Sequence, residues 1–355
     1  MKRILLLAVL MMILTAVSAA SGEAVPEWAD ADLNGRGFLD EGEYLLEDPE
    51  NGHWMYVNET LRIQITRTWE TPEKARKGDA VQEFNCFTAE IWCDTEAGEL
   101  PVTLWADPAR PGYTGKAKTV AEIAVEQGAV YAVSTDLFMA RTSAKTAGVI
   151  IRNGDILFDA KTKHKPGQRP PFDTLAIYED GRVESFVPQD KRAEEYLAEG
   201  AVQVYTFGPV LVRDGEIPEE IGKYDRNLNP MHAFGMAEPG HFIDVVCEGR
   251  LKSLTGSTGV MIETMAGIMK DRGCSIAVNL DGGDTAVMAF MGTKLNAVGK
   301  KANGKVTDIP GRKTCEVLAF GPELVSGKRI WTNSLSLSSG SKRRRTGILK
   351  EPVLA

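Results

Sequence analysis

The chain has few cysteines and histidines for its 355 residues, and several common catalytic signatures are absent. Its five cysteines are odd in number and contain no Cys-x-x-Cys pair, which argues against a disulfide framework or a spaced zinc site. There is also no phosphate-binding loop, no His-Glu-x-x-His and no Gly-x-Ser-x-Gly sequence. Any catalytic activity must therefore depend on a different set of residues.

The cysteines are expected to be mostly buried as small apolar residues. Cys86 and Cys93 are seven positions apart, so on one strand they would point to opposite faces and could not pair with each other. Cys247 and Cys274 fall near two predicted neighbouring strands, and an isolated bridge between them is the alternative.

Long apolar runs are absent beyond the first twenty residues. Lys2 and Arg3 precede an apolar stretch from Ile4 to Val17, and Ser18-Ala19-Ala20 follows, which is the pattern of a secretory signal over residues 1–20. An uncleaved anchor is the alternative interpretation. No later segment reaches the roughly 20 apolar residues that a spanning helix needs, so we expect a secreted or extracytoplasmic protein with no integral membrane segment after signal cleavage.

Acidic residues outnumber basic residues in the body of the chain. The formal net charge is −8, to which Lys2 and Arg3 contribute +2 and the tail from Val325 contributes +6, so the residues between them carry −16. An acidic body does not favour nucleic acid as a partner. The basic run Lys342 to Arg345 lies among Ser and Gly and predicts a disordered tail, with a polyanion contact as the alternative.

The segment from Asp32 to Glu43 has the spacing of a calcium loop, with Asp32, Asn34, Gly37, Asp40 and Glu43 among the matching residues. Arg36 stands at a position that should donate an oxygen, and its cation opposes calcium. A turn-rich lead-in to strands is the simpler interpretation, so a divalent cation is retained only as an alternative cofactor.

Apolar periodicity predicts an α+β fold with a mixed, twisted β-sheet, packed helices and a β-rich N-terminal portion. Helices are predicted over residues 119–127, 190–199 and 258–272, and strands around Asn153-Gly154 and Asp180-Gly181 read as hairpins. Strand, helix and strand over 242–280 predict a parallel crossover. The predicted organisation is a signal at 1–20, a β-rich portion at 21–127, a main domain at 128–323 and a disordered basic tail at 324–355.

The most informative motif is Asn279-Leu280-Asp281-Gly282-Gly283-Asp284-Thr285, directly after the apolar run from Cys274 to Val278. Two glycines allow positive φ and close approach of a ligand to the backbone. An acid, an amide and a hydroxyl around them are typical of a strand that ends in an active-site loop.

Several segments resemble the phosphodiester glycosidase family. Cys247-Glu248-Gly249-Arg250, Ser257-Thr258-Gly259, Gly273-Cys274 and Asn279 to Gly283 occur in the family's order, and the likeness runs from about Tyr131 to Gly321. The resemblance implies the fold of that family and hydrolysis of a sugar linked to phosphate.

Further upstream, Asp136 and Arg141 followed by Gly148 to Gly154 are similar to another family segment. The chain also departs from the family pattern. Met231 follows Asn229-Pro230 where the family usually has Arg, and Glu248 stands where it has Asp. Further differences replace a Gly and a Ser with Asp284 and Thr285, and an Asn-Gly with Ser134-Thr135.

These residues predict a site that holds an anionic sugar ester. Asp281 is the first candidate for a catalytic carboxylate, with Glu248 and Asp136 as the second acid or base. Arg250 and Arg141 suit phosphate oxygens because the guanidinium fork is bidentate. The full set of predicted substrate contacts is Arg250, Arg141, Asn279, Gly282, Gly283, Thr285, Ser257 and His232. Asp284 is a weak candidate for holding a metal.

The predicted function is an exported hydrolase that cleaves a sugar-1-phosphodiester or related glycosidic linkage, in cell-envelope or extracellular glycan. The alternative is a catalytically inactive family member that binds glycan. We expect Glu248, Arg250, Asp136 and Arg141 to converge on one cleft with Asp281.

Overall fold

The computed structural model describes residues 33–321, apart from positions 75, 114, 137–147, 161–166, 168, 188, 189 and 225, together with the backbone of residues 345–349. The predicted signal, Asp32 and Arg141 therefore lie outside the described residues. Within these limits the fold is mostly β-sheet with few helices. The predicted α+β class with packed helices is only partly right, because sheets pack on sheets as well as on helices.

The main structural element is a nine-stranded sheet, the large sheet, in which every pairing is antiparallel. In spatial order its strands are β12 (Val210–Arg213), β15 (Ile276–Leu280), β13 (Met231–Glu238), β14 (His241–Cys247), β4 (Phe84–Cys93), β3 (Leu61–Glu70), β2 (His53–Val57), β1 (Glu43–Asp48) and β21 (Arg345–Leu349).

Three smaller sheets complete the described fold. The second sheet has the order β17 (Thr293–Lys294), β16 (Met288–Phe290), β6 (Tyr131–Val133), β20 (Glu316–Phe320) and β5 (Val102–Trp105). The third sheet has the order β10 (Val183–Phe186), β9 (Asp173–Tyr178), β11 (Ala201–Phe207), β7 (Val149–Arg152) and β8 (Asp155–Asp159). A two-stranded sheet pairs β18 (Gly299–Ala302) with β19 (Lys305–Asp308).

The helices are short, and their ends follow from local sequence. They are α1 (Val120–Glu126), α2 (Ala193–Ala198) and α3 (Ile262–Asp271), with 3-10 turns at Thr95–Ala97, Glu219–Lys223 and Gly283–Thr285. A capping box between Thr119 and Glu122 starts α1, as its sequence predicts. No helix among the described residues is long and apolar enough to cross a membrane.

Helix α3 begins four residues later than predicted, because Ser257 and Thr258, which could cap an earlier start, have other partners. The hydroxyl of Ser257 donates to Glu248 at 2.9 Å, and the hydroxyl of Thr258 donates to the carbonyl of Val81 at 3.1 Å. Neither side chain is therefore available as a helix cap. Gly273 follows the helix with φ +83°, as expected for a C-terminal glycine.

The predicted hairpin at Asn153-Gly154 is confirmed. These two residues have φ +52° and +83° and connect β7 to β8, which is the conformation of a type I′ turn. The prediction of a mixed sheet, with a parallel crossover over residues 242–280, is wrong. Strand β13 lies between β14 and β15 and is antiparallel to both, so the crossover never creates a parallel pair.

The main core lies between the large sheet and the two five-stranded sheets. Phe234 and Phe242 of the large sheet contact Phe320 of the second sheet, with ring centroids 6.5 and 5.8 Å apart. The methionines of α3 are buried on the opposite face of the large sheet, as their spacing predicted. The N-terminal strands β2 to β4 contribute to this core, whereas Tyr44 and Leu46 of β1 pack with Met55 and Val57 in a separate small cluster.

The described part of the predicted disordered tail, residues 345–349, forms strand β21. The backbone of β21 pairs antiparallel with β1 at the edge of the large sheet. This strand was not predicted, because the surrounding composition is rich in Ser, Gly and basic residues. The domain boundaries themselves stay predictions.

Candidate active site

Three loops meet at one end of the large sheet. His232 of β13 pairs with Leu280 of β15, and Met231 of β13 pairs with Cys247 of β14. The residues that flank these pairs therefore lie side by side at one end of the sheet. The segment Asn229-Pro230 therefore runs between the turn that follows β14 and the glycine loop that follows β15, which is defined here as Asp281–Thr285.

Glycines allow these segments to come close. A Cβ on Gly282 would lie 2.6 Å from the carbonyl oxygen of Pro230, and one on Gly249 would lie 2.6 Å from the nitrogen of the same residue. A Cβ on Gly259 would lie 2.9 Å from the nitrogen of Asn229. Because real Cβ atoms do not approach backbone this closely, glycine is required at each position.

Asp281 stands at the start of the glycine loop and is half-buried. Its amide donates a hydrogen bond to the carbonyl of Thr135 at 3.2 Å. That bond ties the end of β15 to the residues that follow β6 in the second sheet. The loop is therefore attached to two sheets.

Arg250 is exposed and lies against the glycine loop. Its Nη2 donates to Oδ1 of Asn229 at 2.6 Å, and its Nη1 lies 3.5 Å from the place where a Cβ of Gly283 would stand. Arg250 itself has φ +60°, a conformation that turns the chain sharply after Gly249. The predicted neighbourhood of Arg250 and the glycine loop is thus present.

A cleft of about 390 Å³ opens beside the glycine loop. It is lined by Arg169, Phe207, Asn227, Asn229, Pro230, Met231, Asn279, Leu280, Gly282 and Gly283. Among these described residues Arg169 is the one with a charged side chain, and three others are asparagines. The lining therefore favours an anion that also carries hydroxyl groups.

Arg169, Asn227 and the contact role of Asn229 were not predicted from the sequence. Arg169 belongs to no motif and follows a stretch without a clear pattern. Arg169 is identified only by its position in the fold, because it lies about sixty residues before Pro230 in the sequence and yet lines the same cleft. Asn279 was predicted, and it both lines the cleft and donates from Nδ2 to the carbonyl of Gly208 at 3.1 Å.

Glu248 and Ser257 lie behind the cleft and hold its loops together. The carboxylate of Glu248 is buried, and one oxygen accepts from Asn85 at 2.9 Å and from Ser257 at 2.9 Å. The other oxygen accepts from the backbone amide of Ala297 at 2.7 Å. Both oxygens are therefore occupied, which is what a positioning group needs.

Asp136 is buried beside a second positive charge, Arg152. Arg152 donates from Nη2 to Asp136 at 3.1 Å and to Glu316 at 2.8 Å, and a backbone amide at Thr206 donates to the other oxygen of Asp136 at 2.8 Å. Although burial opposes its charge, Glu316 and then Asp136 hold the pKa of Arg152 well above its usual value. This buried network lies directly beneath Thr135.

His232 faces the core rather than the cleft lining. It is fully buried, and its Nε2 lies 2.9 Å from Oδ1 of Asp244. Burial, and then the nearby Asp244, raise the pKa of the Tyr131 phenol well above its usual value. Thr285 is also buried, so neither His232 nor Thr285 lies at the surface of the cleft as described.

Asp284, the predicted metal candidate, has another partner, and so does Arg36, the cation that opposes calcium in the calcium-like segment. Asp284 forms an ion pair with Arg312 at 3.6 Å, and Arg36 of the calcium-like segment forms an ion pair with Asp94. No group of three His, Cys, Asp or Glu side chains in the described part of the chain is arranged to hold a metal. Arg141 lies outside the described residues, so its expected place in the cleft stays a prediction.

Comparison with known proteins supports the family and the fold. The profile of the phosphodiester glycosidase family matches residues 127–320. The fold is similar to the zebrafish N-acetylglucosamine-1-phosphodiester alpha-N-acetylglucosaminidase catalytic domain, auto-inhibited by its pro-peptide, with a TM-score of 0.57 and 19% identity over 74% of this chain and 83% of that one.

Two bacterial structures are more distant. A hypothetical protein from Synechocystis has a TM-score of 0.46 and 13% identity over 74% of this chain and 62% of that one. An exported-protein candidate from Burkholderia pseudomallei has a TM-score of 0.45 and 14% identity over 67% of this chain and 74% of that one. No curated protein matches the sequence.

Proposed function

The chain belongs to the phosphodiester glycosidase family, whose profile covers residues 127–320, and from this premise we propose that it hydrolyses a sugar-1-phosphodiester or a related glycosidic linkage. One observation carries the proposal. Beside Asp281 the described lining of the cleft contains a cation, three amides and two glycines, and no carboxylate. Such a lining suits a sugar attached to phosphate.

The reaction breaks the bond between the anomeric carbon and the phosphate oxygen. The phosphate leaves with the bonding electron pair as a monoester of the aglycone, and water supplies the hydroxyl group at the anomeric carbon. Because the leaving group is already a stabilised anion, it needs little protonation. The demanding step is stabilising the oxocarbenium-like centre and delivering water.

Asp281 is the proposed carboxylate for that step. It follows the buried strand β15, stands at the edge of the cleft between Leu280 and Gly282, and has its backbone fixed by Thr135. A fixed carboxylate near the anomeric carbon stabilises developing positive charge or acts on it directly.

Arg169 and Arg250 are the proposed phosphate ligands. Arg169 lines the cleft, and Arg250 lies against Gly283 at its rim. Asn229 holds Arg250 by a hydrogen bond of 2.6 Å, which limits the conformational freedom lost when phosphate binds. Asn279 and Asn227 are proposed to contact sugar hydroxyls from the lining of the cleft.

Glu248 and Asp136, expected from the sequence to be a second acid or base, are proposed to position the site. Both are buried, and oxygens of both accept hydrogen bonds from the protein. Glu248 fixes the turn that carries Arg250, whereas Asp136 follows the residue that fixes Asp281.

We propose further that the protein is exported and acts on cell-envelope or extracellular glycan. The support is the signal-like sequence of residues 1–20. The substrate is then a polymer or glycolipid with a sugar-1-phosphodiester link rather than a cytoplasmic metabolite.

A catalytically inactive glycan-binding protein is the second candidate. It is favoured by Met231, which lines the cleft at the position where the family resemblance leads one to expect Arg. Arg169 supplies a cation in the same cleft, and for this reason we favour the enzyme.

Two substrates with the same sugar separate these proposals. The purified protein is incubated with N-acetylglucosamine-1-phosphate esterified to a small alcohol, and with the simple glycoside of that alcohol. Release of free sugar from the phosphodiester alone supports the proposed hydrolase. Saturable binding of the phosphodiester in calorimetry, with no release on prolonged incubation, supports the binding protein. If the protein neither releases sugar from a panel of such substrates nor binds any of them, both proposals are wrong.

A further inference from the structure

Two buried cysteines, Cys86 and Cys247, face each other across neighbouring strands of the large sheet. Cys86 of β4 and Cys247 of β14 are direct partners in the antiparallel register, and their Sγ atoms are 3.6 Å apart. Both side chains are fully buried beneath α3. All five cysteines are free thiols in the described structure.

The position of this rung in the ladder brings the two residues close. In the next rung, the amide of Glu248 donates to the carbonyl of Asn85 at 2.9 Å. Hydrogen-bonded and non-hydrogen-bonded rungs alternate in an antiparallel pair, so Cys86 and Cys247 occupy a non-hydrogen-bonded rung. The Cα atoms of such a rung are about 4.5 Å apart, which is within the range of about 4.4–6.8 Å that disulfides span.

We propose that Cys86 and Cys247 are a disulfide-forming pair, and that the bond forms when the chain folds in an oxidising compartment. The oxidant is a disulfide of low molecular weight or an oxidised thiol–disulfide oxidoreductase. One thiolate attacks the oxidant's disulfide and forms a mixed disulfide, and the second thiolate displaces the remaining thiol. The two cysteines lose two protons and two electrons, and the oxidant's disulfide becomes two thiols.

Burial determines when this reaction occurs. Burial, and then the neighbouring Cys86, raise the pKa of the Cys247 thiol well above its usual value, so the reactive thiolate is scarce in the folded protein. The bond therefore forms while β4 and β14 are not yet covered by α3. Once formed, it is shielded from reductants by the same packing.

The disulfide would stabilise the two strands that lie behind the cleft. The rung after Cys247 contains Glu248, whose carboxylate joins Asn85 and Ser257, and Arg250 follows two residues later. A covalent link between strands 161 residues apart in sequence restricts the unfolded chain strongly. This inference is independent of the proposed activity, since it concerns the scaffold.

The test counts thiols after folding. The full chain is unfolded and refolded with a mixture of oxidised and reduced glutathione, or with reductant alone, then denatured and alkylated with N-ethylmaleimide. Intact mass is expected to show three adducts after oxidative refolding and five after reductive refolding. Peptide mapping is expected to recover one cross-linked pair, containing Cys86 and Cys247.

Two variants serve as matched controls. The C315A variant removes a buried thiol outside the pair, so two adducts are expected after oxidative refolding. The C86A variant removes one partner, so four adducts are expected under both conditions, and the reductant-dependent drop of several degrees in the wild-type melting temperature should vanish. Five adducts in the oxidised wild type, or a cross-link to Cys93, Cys274 or Cys315, would overturn the proposal. If C86A does not fold, the adduct count and peptide map of the wild type decide alone.

Discussion

The backbone amide of Asp281 donates a hydrogen bond to the carbonyl oxygen of Thr135 at 3.2 Å. This bond joins the glycine loop at the end of the large sheet to the chain that leaves the second sheet. The next residue, Asp136, binds the buried Arg152. The carboxylate proposed to face the sugar is therefore supported by two sheets and by an ion network beneath it.

Removing the cation of that network should destabilise the protein strongly. Arg152→Met leaves Asp136 and Glu316 buried without their shared partner, and breaking a buried pair in this way costs about 3–5 kcal/mol. Urea denaturation of both proteins gives the difference in the free energy of unfolding. Arg182→Met is the control, because Arg182 pairs with Asp180 and Glu184 near the surface, where a loss of about 1 kcal/mol or less is expected. Equal losses for the two variants would contradict the role of the network.

A methyl group at Gly282 should disrupt the cleft. Gly282→Ala places its Cβ 2.6 Å from the carbonyl oxygen of Pro230, so one of the two segments must move. We expect a loss of about 1–3 kcal/mol in stability, with sugar release reduced further because the cleft is displaced. The matched control is Gly267→Ala in α3, where a Cβ meets nothing within 4 Å. That change should stabilise the protein by about 0.5–1 kcal/mol. A Gly282→Ala variant as stable and active as the wild type would show that the close approach is unimportant.

Arg169 should bind the anionic part of the substrate. A hydrogen bond to a charged group contributes about 1.5–3 kcal/mol, so Arg169→Ala should raise KM by about tenfold to a hundredfold for the phosphodiester. Arg169→Lys should recover only part of this effect, because an ammonium group lacks the bidentate fork. Steady-state kinetics with the exposed Arg110→Ala as control measure the change. An unchanged KM for Arg169→Ala would remove this residue from the site.

The capping box of α1 gives a prediction about pH. The carboxylate of Glu122 accepts from the backbone amide of Thr119 at 2.7 Å, and this bond, followed by the Thr119 hydroxyl, lowers the pKa of Glu122. A lowered folded pKa gives stability that is present above the unfolded value of about 4.3 and is lost as pH falls through the folded pKa. Thr119→Ala should cost about 1 kcal/mol at neutral pH.

Denaturation of the wild type and of Glu122→Gln at several pH values between 3 and 7 tests the direction of this pH dependence of stability. The stability difference should shrink as the pH falls below about 4, where the wild-type carboxylate becomes protonated. Glu194→Gln, which removes an exposed carboxylate from the first turn of α2, is the control. A difference that grows with acidity would contradict the role of the cap.

The local parts of the fold were predictable from sequence because their causes are local. The turn at Asn153-Gly154 and the start of α1 at Thr119 depend on residues within four positions of each other. The start of α3 was not predictable, because the hydroxyl groups of Ser257 and Thr258 form hydrogen bonds with the backbone of Asn85 and Val81, which lie far away in the chain. The antiparallel sheet likewise depends on β13 entering between β14 and β15, which no short pattern specifies.

Some residues of the candidate site were likewise predictable from local sequence, and others were not. Asp281 and Gly282 were identified because a glycine-rich loop after a strand has a local signature. Arg169 was missed because its contribution depends on chain segments that meet only in the folded protein. His232 was expected in the cleft, but strand alternation turns its side chain into the core, where it meets Asp244.

Asp281→Asn tests the proposed function most directly. The measurement is kcat/KM for release of N-acetylglucosamine from its 1-phosphodiester, with the exposed Asp155→Asn as the matched control and calorimetry to follow binding. We predict that Asp281→Asn lowers kcat/KM by about 10²–10⁴-fold while binding is retained, and that Asp155→Asn leaves it unchanged. Turnover by Asp281→Asn at the wild-type rate would contradict the assignment of catalysis to the glycine loop.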